Sequence, residues 1–130
     1  MRAVIFFLFP LILVAGEYAF QGKHLIASYH GCDQEALTDI EKLKKKFIEA
    51  TRASGATILD KVDFHFEPDG LTMAIILSES HASIHTYPEH SACFVDLFTC
   101  GDKCSAERFD ESLRAYLKPK KVKKEQIERS

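Results

Sequence analysis

Residues 56–77 read ATILDKVDFHFEPDGLTMAIIL, two strand-length segments joined by the turn sequence Glu67-Pro68-Asp69-Gly70. Proline fixes one backbone angle and glycine frees another, which is what a tight reversal needs, so the spacing predicts a hairpin. In the first arm Ile58, Val62, Phe64 and Phe66 are available to one face. The second arm, Leu71 to Leu77, is almost wholly apolar, as expected of a central strand covered on one face by helices.

Upstream, Asp33 offers an N-cap, and Leu37, Ile40, Leu43, Phe47 and Ala50 recur at spacings of three and four until Ser54 and Gly55. This predicts one amphipathic helix, whose lysine- and glutamate-rich opposite side reads as a solvated face. Before it, Lys23 to Tyr29 reads as a strand, followed by a turn at Gly31. Downstream, HASIHT is extended, Tyr87 to His90 reads as a loop, and Ala92 to Thr99 is a further apolar strand ended by Gly101. Ser105 caps a second helix running to about Leu117, and Pro119 forbids its continuation. The closing KKVKKEQIERS is either an edge strand or a solvated tail. The expected fold is α+β: a two-layer α/β sandwich, its sheet mainly antiparallel, with two helices packed on one face.

A chain of 130 residues suits one core rather than two. With 46% hydrophobic residues and only 6 Gly and 4 Pro, it is neither disordered nor collagen-like. The 17 Lys and Arg against 19 Asp and Glu leave no basic surplus, which argues against a nucleic-acid partner. Residues 1–17 form an apolar extension: Arg2, an apolar run to Val14, then Ala15 and Gly16, the layout of a secretory leader. The run falls short of the roughly 20 residues that cross a bilayer, so no stable membrane span is expected. The competing reading is a start assigned too far upstream, with the single domain occupying 18–130.

The segment SESHASIHTYPEHSACFVDLFTCG, residues 78–101, concentrates serine, histidine, glutamate and cysteine between two apolar strands. Three readings of it compete. A Ser or Cys nucleophile with a His base is one. A zinc site drawn from His81, His85, His90, Cys93, Cys100 and Cys104 is the second, weakened because neither Cys-x-x-Cys nor His-Glu-x-x-His is present. Ordinary strand histidines and small apolar cysteines are the third. The four cysteines do not form a dense disulfide framework, so free thiols and no metal are expected.

In order and separation, LSESH, IHTYPE and DLFTCG closely resemble the processing and active-site region of the prokaryotic S-adenosylmethionine decarboxylase proenzymes, a pyruvoyl-dependent family. GKHLIASY, Cys32-Asp33 and the SGATI beginning at Ser54 extend the likeness over roughly residues 22–117. The resemblance implies self-cleavage between Glu79 and Ser80, giving a β chain of residues 1–79 and an α chain of 80–130. Ser80 would become the pyruvoyl cofactor and form a Schiff base with the substrate amine, an electron sink of the pyridoxal phosphate kind. His85 matches the family's processing base; five residues from Ser80, it is expected across a loop, with His81 pointing to the opposite side. Cys100 falls where the family places its proton donor. An ordinary thiol ionises at about 8.5 and so stays mostly protonated near neutrality.

The resemblance further implies that Glu89 binds the ribose hydroxyls, that adenine stacks on Phe66, and that Thr72 assists processing. Tyr87 departs from the tryptophan more often found there. The implied activity is decarboxylation of S-adenosylmethionine to the aminopropyl donor of spermidine synthesis, by a dimer of cleaved protomers. Relatives acting on arginine or ornithine, a non-catalytic partner subunit, and a secreted Cys- and His-containing binding protein are the competing readings. Because S-adenosylmethionine is a cytoplasmic metabolite, a cytoplasmic location is expected, although the leader-like start leaves export open.

Overall fold

The computed structural model describes residues 20–130; the expectation for residues 1–17 lies outside them. Among the described residues, six strands and three α-helices follow in the order β1 (Gly22–His30), α1 (Gln34–Thr38), α2 (Ile40–Ala53), β2 (Ile58–Phe66), β3 (Gly70–Leu77), β4 (Ser80–Tyr87), β5 (Ala92–Cys100), α3 (Ala106–Leu117) and β6 (Lys121–Arg129). The sheet order is β2-β3-β4-β5-β1-β6. Every neighbouring pair is antiparallel, and the order inserts β1 between β5 and β6.

Strand alternation sends Leu71, Met73, Ile75 and Leu77 of β3 toward the helices, where they meet Leu43, Phe47, Phe109 and Leu113 in the core. Each such fully buried side chain contributes about 1.5–3 kcal/mol relative to exposure. Tyr29 is buried on β1, and its hydroxyl donates to Asp110 of α3, which also pairs with Lys124 of β6 at 2.7 Å. That network fastens the last strand to the last helix.

The helix expected from Asp33 to Ser54 is divided. Asp33 caps α1 by accepting from the Ala36 N–H at 2.9 Å, and Asp39 caps α2 by accepting from the Lys42 N–H at 3.2 Å. A carboxylate that captures a nearby backbone donor competes with the helical ladder, so Asp39 starts a new helix and three helices, not two, cover the sheet. Ser105 caps α3 through the Arg108 N–H as expected. Residues 87–90 are not a plain loop: Tyr87 ends β4, and Pro88–His90 make one short 3-10 turn. The last residues form an edge strand rather than a tail, and its lysines discourage further strand pairing.

Along β2 the pairing register shifts between Ile58 and Asp60. Ile58 therefore packs against the core, whereas Val62 and Phe64 share the uncovered face with Ala74 and Thr72, their partners on β3. That uncovered face is rich in apolar side chains, with Phe64 63% and Ile76 49% exposed.

Candidate functional site

Leu77 and Ser80 are paired across the β3–β4 turn, which places the Glu79–Ser80 peptide at the turn itself. Ser80 has φ of 152°, a region nearly reserved for glycine and costing about 1–3 kcal/mol for another residue. Its hydroxyl lies 3.0 Å from His81 Nδ1. The Glu79 carbonyl accepts from the Cys100 backbone N–H at 2.8 Å, so the strand carrying the Cys100 thiol also polarises the carbonyl that Ser80 would attack.

The Glu79 side chain is itself held. Its carboxylate accepts from the Thr57 N–H at 3.0 Å and from Lys103 Nζ at 3.2 Å, while Lys103 also donates to the Thr57 hydroxyl at 3.0 Å. Burial pushes this carboxyl upward, but the hydrogen bonds from Thr57, its own backbone and Lys103 outweigh it and leave it below the usual glutamate value.

At the other end of β4, Thr72 and His85 are direct cross-strand partners, with the Thr72 hydroxyl in hydrogen-bonding contact with His85 Nδ1. The His85 ring packs edge-on against Tyr87 and Phe66, with centroids 4.7 and 6.0 Å away. Phe66, His85, Tyr87 and Glu89 line a cleft of about 470 Å³ together with Gln34. Gln34 steadies the turn beyond β4 by donating to the Pro88 carbonyl at 3.1 Å and accepting from the Ser91 hydroxyl at 3.2 Å. The depression of about 650 Å³ between α2 and α3 contains none of the candidate residues.

The expected placement of His85 is corrected by this geometry. Ser80 and His85 lie on one straight strand, five residues or about 16 Å apart, rather than across a loop. Strand alternation places His81 and His85 on the same face, and the serine hydroxyl meets His81. Within one chain the candidate residues thus form two groups: Glu79, Ser80 and Cys100 at one end, and Phe66, Thr72, His85 and Glu89 at the other. Between them, His24 and Asp96 pair at 3.0 Å on the open face.

Sequence reasoning missed Thr57, Lys103 and Gln34. Only the motif likeness around SGATI touched Thr57, and no local signal distinguished Lys103 or Gln34 from other surface residues. All four cysteines are free; Cys32 and Cys93 are buried. Among the described residues, no group of three or more His, Cys, Asp or Glu is arranged to hold a metal ion. No helix among them is long and apolar enough to cross a membrane.

The family model described as S-adenosylmethionine decarboxylase matches residues 23–130. The S-adenosylmethionine decarboxylase proenzyme of Brevibacillus brevis is 42% identical over 106 residues, covering 82% of this chain and 80% of the relative. That of Methanococcus vannielii is 40% identical over 108 residues, covering 83% and 88%. The crystal structure of the adenosylmethionine decarboxylase from Aquifex aeolicus superposes with a TM-score of 0.79 at 32% identity, covering 85% of this chain and 92% of that one. With the motifs, the sheet and the matches over most of the chain in agreement, the chain belongs to the S-adenosylmethionine decarboxylase family.

Proposed function

We propose that the protein cuts itself between Glu79 and Ser80 and then decarboxylates S-adenosylmethionine, supplying the aminopropyl donor for spermidine synthesis in the cytoplasm. The observation that carries this reading is the Glu79 carbonyl, held by the Cys100 N–H at 2.8 Å, beside a serine with φ of 152°. An acyl shift needs a strained peptide and a donor ready for the developing oxyanion, and both are present. Ser80 Oγ bonds to the Glu79 carbonyl carbon as the peptide C–N bond breaks and the freed nitrogen takes up the hydroxyl proton. Loss of the Ser80 α-proton then expels the Glu79 carboxylate, and water replaces the nitrogen, which leaves as ammonia.

The residues at this turn fit a pyruvoyl group: Ser80 supplies its atoms, and neither a metal nor an external cofactor is required. When formed, it supplies a carbonyl that captures the substrate amine and takes up the electrons released with carbon dioxide. Cys100 then returns a proton to the substrate carbon from the adjoining strand. Phe66 offers a ring for the adenine and Glu89 a carboxylate for the ribose hydroxyls.

Because His85 lies about 16 Å from Ser80 along β4, and Phe66 and Glu89 line the cleft beside His85, one chain does not gather all of them around Ser80. A two-fold dimer packed through the open sheet face resolves this. An isologous contact sets the Ser80 end of each chain against the His85 end of its partner, so two complete sites form, each from both chains. The exposed apolar face, with Phe64 and Ile76, is the surface such a dimer would bury.

Intact mass of the purified protein, with and without borohydride trapping in S-adenosylmethionine, tests the reading. Two fragments, with the substrate trapped on the one beginning at residue 80, are expected. Cleavage without trapping would exclude this substrate in favour of arginine or ornithine, and a chain that stays whole would overturn self-processing.

A further inference from the structure

We propose that Lys103, acting through the Glu79 carboxylate, is a positioning residue for self-cleavage: it clamps the Glu79–Ser80 peptide in the geometry in which the bond is cut. This deepens the self-cleavage reading and rests on it. The Glu79 side chain is only 2% exposed, whereas that of Lys103 is 62% exposed. The lysine could satisfy itself in water, but the carboxylate depends on partners within the protein.

Those partners converge on one point. Thr57, just before β2, gives its N–H to the carboxylate, accepts Lys103 on its hydroxyl, and accepts the Ser78 N–H on its carbonyl at 2.9 Å. Lys103 follows β5, and the last residue of β5, Cys100, holds the Glu79 carbonyl through its backbone N–H. Both the main-chain and the side-chain oxygens of Glu79 are therefore fastened to the short stretch 100–103, and the turn before Ser80 is fastened to Thr57. A backbone angle as costly as that of Ser80 persists only where its surroundings over-determine it, and this double fastening does so. With the ion pair removed, Glu79 can rotate away while the sheet stays intact, and the carbonyl drifts from Ser80 Oγ.

The test measures the rate of self-cleavage by intact mass for the wild-type chain, Lys103→Met, Lys103→Arg, Glu79→Gln and the double variant Lys103→Met/Glu79→Gln. Misplacement of a reacting pair costs rate, so Lys103→Met is expected to slow cleavage by roughly tenfold or more. Lys103→Arg should restore most of the rate. Glu79→Gln keeps the Thr57 contact and loses the ion pair, so adding Lys103→Met to it should change the rate little. Lys103→Met leaves the buried Glu79 carboxylate short of a partner and should lower the melting temperature, so rates are compared well below the melting temperature of every variant, where each is fully folded. A wild-type chain that is cut beside a Lys103→Met chain cut equally fast would overturn the clamp alone. So would a Lys103 effect that persists undiminished in the Glu79→Gln background. A wild-type chain that stays whole would overturn the self-cleavage reading and the clamp with it.

Discussion

The two ends of β4 are built differently. At Ser80 the backbone is strained, and Glu79, the residue before it, is held by main-chain and ionic partners drawn from two segments, Thr57 and the stretch 100–103. At His85 the side chains lean on one another as rings around an open cleft, with one hydroxyl contact from Thr72. A reaction on the chain's own peptide demands fixed atoms, because nothing else positions the reactants. A surface that receives a separate molecule needs shape and a few polar groups, and tolerates adjustment.

The most decisive way to break this comparison is Ser80→Ala, which removes the attacking oxygen. We expect a single uncut chain by mass spectrometry and no decarboxylation, with an unchanged melting temperature. Next is a mixture of His85→Ala and Cys100→Ala chains, co-expressed with different tags. If the two ends work across a dimer, the mixed dimer carries one intact site, and about a quarter of wild-type activity returns where each variant alone has almost none. No recovery would place both ends of the site in one chain.

A smaller effect separates binding from processing. Phe66→Ala is expected to leave cleavage nearly complete while raising KM for S-adenosylmethionine by about tenfold, as loss of a stacking face does. A cleavage defect of equal size would show that the rings serve the Ser80 end instead. The smallest effect is one of pH. The Glu79 carboxyl is lowered from its ordinary 4.5 in the folded protein, so its contribution to stability is present above that value and is lost as pH falls through the folded value. Thermal melts of the wild type and Glu79→Gln should therefore differ at neutral pH and converge in acid, once the pH has fallen through the lowered folded value. A gap that widens in acid would contradict the assigned contacts.

Local signals carried much of this architecture. The alternation in β3, the turn at Glu67–Gly70 and the caps at Asp33 and Ser105 each act within a few residues, so their sequence reading and their structure agree. Asp39 was legible in principle, yet the apolar spacing runs through it unbroken, and only the side-chain cap reveals the break. β6 looks like a solvated tail because its partner is β1, nearly a hundred residues earlier, and no local pattern encodes that pairing. The candidate residues were visible as motifs, but their division between two ends was not. Five residues say nothing about proximity until the segment is known to be straight. Lys103 was invisible for a similar reason: it looks like any exposed lysine until Glu79, from another part of the chain, is set beside it.

The insertion of β1 between β5 and β6 bears on what becomes of the pieces. A break after Glu79 leaves β1, α1, α2, β2 and β3 in one polypeptide and β4, β5, α3 and β6 in the other. The pieces do not lie side by side; they are interleaved, since a strand of the first sits between two strands of the second. Parting them means unzipping β1 along both edges, separating β3 from β4, and prising α2 from α3 across the shared core, which amounts to unfolding the whole domain. The proposed cut would therefore sever the backbone and still leave the halves married for the lifetime of the fold, held by the strand pairing and core they share.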